Sequence, residues 1–333
     1  MPIMILAGDV GGTKTVLALF RAKPGKPVPV RQYVFDSRQR PSLESMVRDF
    51  LAGGTEKIKV AVFGVAGPVA SGRSQVVNLN WTVDRKKLSK LAELGRVEVI
   101  NDLEATARGV GLLPASRSRS LTPGIRRREG PYALIAPGTG MGTAGMIPVN
   151  GRYQAFAGEG GHRDFAPTDE IGYRLHRFLV KKYGRHVSAE RVCAGPGFKV
   201  LLEFVVTSGI AQAGPSLLQQ LDRAADGNAV IAQAGIKRSD PAARAALSLF
   251  VSCLGAVAGD LALTLGATGG VWIGGGIAPR ILPALTEKRF LAGFRNKGRM
   301  RSYMEKIPVR VILDPNTALY GAAALGAEYG GTR

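Results

Sequence analysis

Short apolar runs separated by glycine turns occupy the first hundred residues of the chain. An apolar run over 3–8 leads into Asp9, and after a glycine turn a second run resumes over 16–20, which predicts a β-hairpin. Apolar residues at helical spacing from Ser42 predict a helix. Further strands are expected over 30–35, 57–65 and 96–100, with a helix that carries Leu88, Leu91 and Leu94 and is capped by Thr82 or Asp84. Strands that alternate with helices predict an α/β domain.

The order of strand, glycine turn and strand returns in the middle of the chain. An apolar run over 132–136 reaches a turn rich in Gly and Thr, and apolar residues resume over 144–149. This weak internal repeat predicts two related halves, each with one such hairpin. Helical patterns are expected over 170–182 and 242–266, then a strand over 270–273, a glycine run with a helix after it, and a last helix from about 315 to 327.

Length and composition fit this picture. The chain has 333 residues, which suggests about two domains, and the polar stretch 114–130 is the best candidate for a loop at their boundary. Its 44 glycines are close to twice the average share of about 7%. Such an excess directs attention to loops in which the backbone approaches a ligand closely.

The charge balance is the second unusual feature. Lys and Arg number 45 against 25 Asp and Glu, a net charge of +20, so nucleic acid has to be considered. The basic residues are spread over the whole length, with local clusters only at 117–119, 126–128 and 295–301. Because no nucleic-acid-binding module accompanies them, we interpret them as a solvated surface.

Cysteine spacing and hydropathy exclude several other classes. Cys193 and Cys253 form neither a CxxC pair nor a Cys/His cluster with metal-ligand spacing, so we expect reduced, structural thiols. The most apolar long stretch, 242–273, contains Arg244 and Asp260 and is expected to be a buried helix followed by a strand rather than a membrane span. We therefore expect a cytoplasmic protein.

Three glycine-rich loops, each directly after a predicted buried strand, are candidates for phosphate binding. A carboxylate beside unobstructed amides suits a phosphate and its hydrated metal, and hydroxyls next to a glycine turn extend a backbone cradle. None of the loops fits the Walker A pattern or the dinucleotide fingerprint. Each alone is more typical of a plain turn, but three such loops in this order, each directly after a buried strand, favour nucleotide binding. The candidate residues are Asp9, Gly11, Gly12 and Thr13 in the first loop, Gly138, Thr139, Gly140 and Gly142 in the second, and Gly274, Gly275 and Gly276 in the third.

These loops resemble those of the actin-like ATPase and sugar kinase fold, in which two hairpin turns hold the phosphates and a glycine turn holds the adenosine. More specific motifs are VINDLEA over 99–105, GEGGH over 158–162, and SAERV over 188–192 with a following GPG. Together they resemble the bacterial ATP-dependent glucokinase family over nearly the whole chain. The resemblance implies a two-domain α/β fold with a cleft between a small domain, 1–112 plus 315–333, and a large domain, 113–314.

The resemblance also implies roles for individual residues. Asp102 would be the general base, and Asn101, Glu159, His162 and Glu190 would hold sugar hydroxyls. A sugar hydroxyl is a poor nucleophile, so such a reaction needs a carboxylate that accepts its proton as the phosphoryl group arrives. Positioning and electrostatics lower the rest of the barrier. Asn78 and Trp81 are candidates for the same cleft, although a buried Trp that anchors a loop is equally consistent.

Simpler interpretations stand beside these roles. Asp102 at the start of a helix could be an N-cap, and Glu190 a helix-start carboxylate. Zinc is an alternative for His162, but 163–168 contains no cysteine to share it. His176 and His186 have no partners in the pattern and are expected at the surface.

The predicted activity is transfer of the γ-phosphoryl group of Mg-ATP to the 6-hydroxyl of glucose, in a homodimer that binds no specific nucleic acid and no membrane. Mg²⁺ would be held mainly by the ATP phosphates, with Asp9 as a candidate ligand through water. A kinase of another hexose, mannose or fructose, is the first alternative. A sugar-responsive DNA-binding regulator on the same fold is the second, supported only by the charge, and the early position of Asp9 leaves no room for a preceding helix-turn-helix.

Overall fold

A computed structural model describes residues 3–23, 26–76, 79–91, 94–125 and 129–331. The strands are β1 Met4–Val10, β2 Lys14–Arg21, β3 Val28–Asp36, β4 Ile58–Val65, β5 Arg73–Gln75, β6 Thr82–Asp84, β7 Leu94–Asn101, β8 Ser118–Ser120, β9 Tyr132–Pro137, β10 Met141–Val149, β11 Arg152–Gly158, β12 Gly270–Ile273 and β13 Val309–Ile312. They form a five-stranded sheet with the order β3-β2-β1-β4-β7, a six-stranded sheet with the order β11-β10-β9-β12-β13-β8, and the pair β5-β6.

The α-helices are α1 Leu43–Leu51, α2 Arg85–Leu88, α3 Asp102–Gly109, α4 Glu170–Tyr183, α5 Glu190–Cys193, α6 Gly197–Thr207, α7 Pro215–Arg223, α8 Gly227–Lys237, α9 Pro241–Thr264, α10 Leu282–Leu285, α11 Lys288–Arg295, α12 Arg301–Met304 and α13 Thr317–Gly331. The chain divides into two compact units, one of Met1–Arg117, Ala144–Ala157 and Asp314–Arg333, and one of Ser118–Thr143 and Gly158–Leu313. The predicted boundaries at 112 and 315 remain a prediction.

The first unit is built on the mixed five-stranded sheet. β1 pairs antiparallel with β2 and parallel with β4, and β4 pairs parallel with β7. In this register Asp9 lies opposite Gly64, and Val65 lies opposite Asn101. Because neighbouring strands are about 4.8 Å apart, the carboxyl ends of β1 and β7 lie roughly 10 Å apart at the same edge of the sheet.

Two glycines bring α3 and α13 into close contact on this sheet. A Cβ at Gly109 would lie 2.0 Å from the carbonyl oxygen of Thr317, and one at Gly321 would lie 1.8 Å from that of Ala105. No larger residue fits either position without moving a backbone, so the glycines set the distance between the helices. Helix α13 therefore holds α3, which begins at Asp102, against the sheet.

The second unit has its own core around α9. Many apolar residues of this helix, among them Leu247, Phe250 and Leu254, are fully buried. Its two charged positions are paired, Arg244 with Glu287 at 2.7 Å and Asp260 with Lys297 at 2.7 Å. α9 is long and apolar enough to span a membrane by length and composition alone, but most of its surface is buried within the protein. The prediction of a buried core helix is confirmed.

Most predicted elements are present, with three differences. The stretch 114–130, predicted as a loop, contains β8, which pairs with β13. The helix expected to carry Leu88, Leu91 and Leu94 ends at Leu88, capped by Asp84, because Leu94 already begins β7. No helix follows the third glycine run directly, since turns occupy 275–281 before α10. Arg126, Arg127 and Arg128, one of the basic clusters, lie outside the described residues.

Both cysteines are free thiols, Cys193 buried and Cys253 half-buried. Burial raises the pKa of Cys253 to about 12 and that of Cys193 well above its usual range. Both thiols therefore stay protonated at neutral pH, as expected of structural cysteines.

Candidate active site

In the first unit, the first glycine loop carries a carboxylate in an unfavourable environment. Asp9 is the penultimate residue of β1 and is followed by a turn that the Gly11 N–H closes by donating to the Lys14 carbonyl at 3.0 Å. Burial raises the pKa of Asp9 from 3.8 to about 6, and the positive charge of Lys14 only partly opposes this rise. Gly12 is half-exposed and Thr13 is exposed. The turn thus presents open backbone beside a carboxylate whose ionised form a bound cation would stabilise.

Asn101 and Asp102 stand at the junction of β7 and α3, at the same sheet edge as Asp9. Asn101 is the N-cap: its Oδ1 accepts from Leu103 N–H at 2.8 Å and Glu104 N–H at 3.3 Å, and its Nδ2 donates to the Gly67 carbonyl at 3.0 Å. Asp102 is the first residue of the helix, and its Oδ1 also accepts from Leu103 N–H, at 2.9 Å. The capping role that a simpler interpretation gave to Asp102 therefore belongs to Asn101.

In the second unit, the second glycine loop is attached to Glu190. The turn closes through the Gly138 N–H, which donates to the Gly140 carbonyl at 2.7 Å, and the next residue, Met141, donates its N–H to Glu190 Oε2 at 2.8 Å. A Cβ at Gly140 would lie 2.6 Å from that carboxylate oxygen. The requirement for glycine at 140 therefore comes from Glu190, whereas a Cβ at Gly138 would have no neighbour closer than 3.8 Å.

The loop with Glu159 and His162 is held by Thr143. The buried Thr143 hydroxyl donates to the Gly158 carbonyl at 2.9 Å and accepts from Gly160 N–H at 3.0 Å, so it fixes the backbone on both sides of Glu159. A Cβ at Gly161 would lie 2.0 Å from the Met141 carbonyl oxygen. Met141 thus joins the second glycine loop, Glu190 and the Glu159 loop within one unit.

The side chains of Glu159 and His162 are exposed, with His162 Nε2 3.9 Å from Glu159 Oε2. This separation exceeds a hydrogen bond, so both groups keep their bonding capacity for a ligand. A polyhydroxyl compound, whose groups each donate and accept, matches such a pair. Among the described residues no group of three or more His, Cys, Asp and Glu side chains could hold a metal ion.

His176 and His186 were expected at the surface without partners, but both have contacts. The His186 ring contacts Asp164 and the His162 carbonyl, and the His176 ring stacks on Phe165 with 6.4 Å between centroids. Sequence reasoning also missed Thr143 as a support. The adjacent glycines of the GEGGH motif indicate that another part of the chain approaches this backbone closely. They do not indicate which residue does so.

The third glycine run follows β12. Gly274 N–H donates to the Ile135 carbonyl at 2.8 Å. Gly275 has φ +75°, and a Cβ there would lie 2.2 Å from the Pro137 carbonyl oxygen, so both conformation and space require glycine. Gly276 has open space at its Cβ position. The run therefore lies against the end of β9, beside the second glycine loop.

Two residues predicted to line a cleft have different outcomes. Asn78 lies outside the described residues. Trp81 packs against the core of the first unit, with its ring nitrogen buried and without a hydrogen-bond partner. The structure thus supports the anchoring interpretation of Trp81.

Comparisons with known proteins agree with these motifs. The model of the glucokinase family matches residues 6–329. The glucokinase of Trichormus variabilis is 36% identical over 339 residues, covering 98% of this chain and 99% of the relative.

Solved structures give the same result. A glucokinase from an Antarctic psychrotroph superposes with a TM-score of 0.86 at 31% identity, covering 98% of this chain and 99% of that one. A ROK family glucokinase from Streptomyces griseus, solved with glucose and AMPPNP, has a TM-score of 0.62 at 22% identity and covers 97% and 98% of the two chains. At this lower identity the likeness concerns the fold, which is the predicted actin-like sugar kinase fold.

Proposed function

The chain belongs to the glucokinase family and phosphorylates glucose with ATP, and we propose that the Asp102 carboxylate is its general base. The observation that carries this proposal is that Asn101 and Asp102 have different positions at the start of α3: Asn101 is the N-cap and Asp102 is the first residue of the helix. Asn101 caps the helix, so Asp102 is not required for capping and sits at the positive end of the helix dipole, which favours an ionised carboxylate.

The chemistry follows from this placement. The 6-hydroxyl of glucose gives its proton to Asp102 while its oxygen forms a bond to the γ-phosphorus, and the bond from that phosphorus to the bridging oxygen breaks with its electron pair leaving on ADP. A carboxylate held by the Leu103 N–H and by a helix packed on α13 needs little reorganisation.

Sugar recognition is assigned to Asn101, Glu159, His162 and Glu190. Glu190 accepts one bond from Met141 N–H through Oε2, which leaves Oε1 for a sugar hydroxyl. Glu159 and His162 are exposed and directed by the Thr143 bonds on the backbone. Charged acceptors discriminate strongly in favour of hydroxyl groups, because an analogue that lacks the hydroxyl leaves them unpaired.

Phosphate binding is assigned to the two hairpin turns, Gly11–Thr13 and 138–142, and adenosine to Gly274, Gly275 and Gly276. Mg²⁺ fits a site of this kind, since it keeps several waters and is commonly bound by substrate phosphates and one or two carboxylates. Asp9 would be that carboxylate, acting through water; burial raises its pKa to about 6, and a cation nearby would favour its charged form. Bound Mg²⁺ would neutralise charge that develops on the phosphates.

We expect Asp102→Asn to lower kcat by roughly 10² to 10⁴ while glucose binding is retained, because the shape persists and the proton acceptor is lost. Glu104→Gln is the matched control: Glu104 lies two residues along α3, where it pairs with Arg108 at 3.3 Å. The measurement is coupled ADP release, with glucose affinity followed separately by a binding titration. Near-normal kcat in Asp102→Asn, or equal losses in both variants, contradicts the proposal.

The same assay with mannose and fructose measures the breadth of sugar specificity. Higher kcat/KM for either than for glucose would favour the other-hexose alternative. A homodimer and a cytoplasmic location remain predictions, as does the absence of specific nucleic-acid binding.

A further inference from the structure

Two segments of the second unit run side by side and link the residues assigned to the sugar. Phe165 N–H donates to the Val187 carbonyl at 2.8 Å, and Ala189 N–H donates to the Arg163 carbonyl at 2.8 Å. The segment 162–165 begins at His162, and the segment 186–190 ends at Glu190. Their pairing therefore sets the position of His162 relative to Glu190.

The ring of His186 closes one end of this pair. Its Nδ1 lies 2.9 Å from Asp164 Oδ1, and its Nε2 lies 3.1 Å from the carbonyl oxygen of His162. Both neighbours are acceptors. The ring therefore lies between two acceptors, one on the side chain of Asp164 and one on the backbone of His162, and it connects them.

We propose that His186 is a positioning residue of the sugar site: its ring joins Asp164 to the backbone of His162 and so holds the His162 side chain where glucose binds. This inference rests on the proposed role of Glu159 and His162. His186 itself touches neither residue's side chain in the described contacts, so it acts through the backbone. Loss of the ring removes both contacts and loosens the loop.

Charged side chains flank this contact. The charged and titratable groups on the flanking segments are Glu159, His162, Arg163, Asp164, Arg185 and Glu190. Arg163 is directed to α9, where it donates to the Val257 carbonyl at 2.7 Å and lies 3.6 Å from Asp260. These groups are common to all variants of His186, so a comparison between those variants isolates His186.

The expected effect is moderate because the contact is exposed. An exposed charged pair contributes about 0 to 1 kcal/mol, which corresponds to an increase of up to roughly fivefold in the KM for glucose. His162 is assigned to glucose and not to the phosphates, so a displaced His162 side chain should weaken glucose binding more than ATP binding. We therefore expect His186→Gln to raise the KM for glucose about three- to fivefold with kcat and the KM for ATP within twofold of the parent.

The decisive experiment compares His186→Gln with His186→Arg in steady-state kinetics. A guanidinium has several N–H donors and can donate to both acceptors. The KM for glucose should stay within twofold of the parent in His186→Arg and should rise in His186→Gln. Asp164→Asn should match His186→Gln, and the double variant should be no worse than either single one.

Lys182→Gln is the matched control, since Lys182 makes an exposed 2.7 Å contact with Glu203 on the same unit away from these loops. The inference is overturned if His186→Gln leaves the KM for glucose within twofold, if both KM values rise together, or if the control behaves alike. Failure of the proposed function looks different: there, Glu159→Ala would raise both KM values equally or neither. A selective glucose effect in Glu159→Ala without one in His186→Gln removes only the present inference.

Discussion

The hairpin turn of the first unit and the turn of the second unit share one plan and use it differently. In each, a buried strand ends in a glycine turn, and a buried threonine near the start of the next strand bonds close to the end of a third strand. Thr15 Oγ1 lies 2.8 Å from the Oγ of Ser37, the residue after β3, and Thr143 Oγ1 lies 2.9 Å from the carbonyl oxygen of Gly158, the last residue of β11. The first turn carries a buried carboxylate, Asp9. The second has none and instead holds Glu190 and the Glu159 loop, so under our proposal one plan serves a cation in one place and a sugar in the other.

The largest difference that we expect between the two turns is the effect of the Asp9 charge on the free energy of unfolding. A pKa raised from 3.8 to about 6 means that ionised Asp9 destabilises the folded state by about 3 kcal/mol above pH 6, at 1.36 kcal/mol per pKa unit. Because the folded state holds the proton more tightly, this cost grows as pH rises through that window and disappears below about 3.8. Asp9→Asn should therefore raise the free energy of unfolding by about 3 kcal/mol at pH 8 and by about half as much near pH 5.

Urea unfolding of the protein without ATP measures this, and ADP release measures the accompanying loss of activity. A gain that is the same at both pH values would show that the carboxylate charge is not its source. If Asp9→Asn is both more stable and fully active, Asp9 has no role in catalysis, and the two turns differ less than we propose.

The next effect separates the two glycines of the second turn. Since a Cβ at Gly140 would lie 2.6 Å from Glu190 Oε2, Gly140→Ala should displace that carboxylate and lower kcat/KM for glucose by about 10², the loss typical of a displacement near 1 Å. The KM for ATP should change less. Steady-state kinetics with each substrate varied in turn tests the expectation, and a selective rise in the KM for ATP would contradict it.

A smaller effect compares the two threonines. Thr143→Val leaves the Gly158 carbonyl and Gly160 N–H without their partner, so the KM for glucose should rise about tenfold through the misplaced Glu159 loop. Thr15→Val leaves the buried Ser37 hydroxyl unpaired and should cost about 1 to 3 kcal/mol of unfolding free energy without changing either KM. Kinetics and urea unfolding of both variants decide whether the two positions differ in function.

The smallest effect concerns Gly138, where a Cβ has room. Gly138→Ala should leave the fold and the KM for glucose unchanged and raise the KM for ATP about threefold if the amides of this turn face phosphate. ATP titration at saturating glucose provides the measurement. An unchanged KM for ATP would remove Gly138 from the phosphate cradle.

The features that the sequence predicts follow from local patterns. The features that it does not predict depend on contacts between residues distant in sequence. The strand before Asp9 and the strand over 270–273 follow from apolar runs bounded by glycine, and α9 from its helical periodicity. The Met141 bond to Glu190 spans 49 residues and that of Gly160 to Thr143 spans 17. Such partners are brought together by tertiary packing, which no local pattern encodes. The simpler interpretation of Asp102 as an N-cap was off by one residue from the observed cap, Asn101, because one-residue shifts at a helix start are invisible in periodicity.

The packing of α13 on α3 also bears on the order in which the protein can fold during synthesis. The glycine contacts of Gly109 and Gly321 join segments separated by the whole second unit. A ribosome that has released residues through 313 has supplied all of the second unit, while the first unit still lacks the helix that covers β1 and fixes the start of α3. Domains usually fold as they emerge, from the N-terminal side. Here the first unit is completed last, so the nascent chain acquires the support for Asp102 only after the second unit has been made.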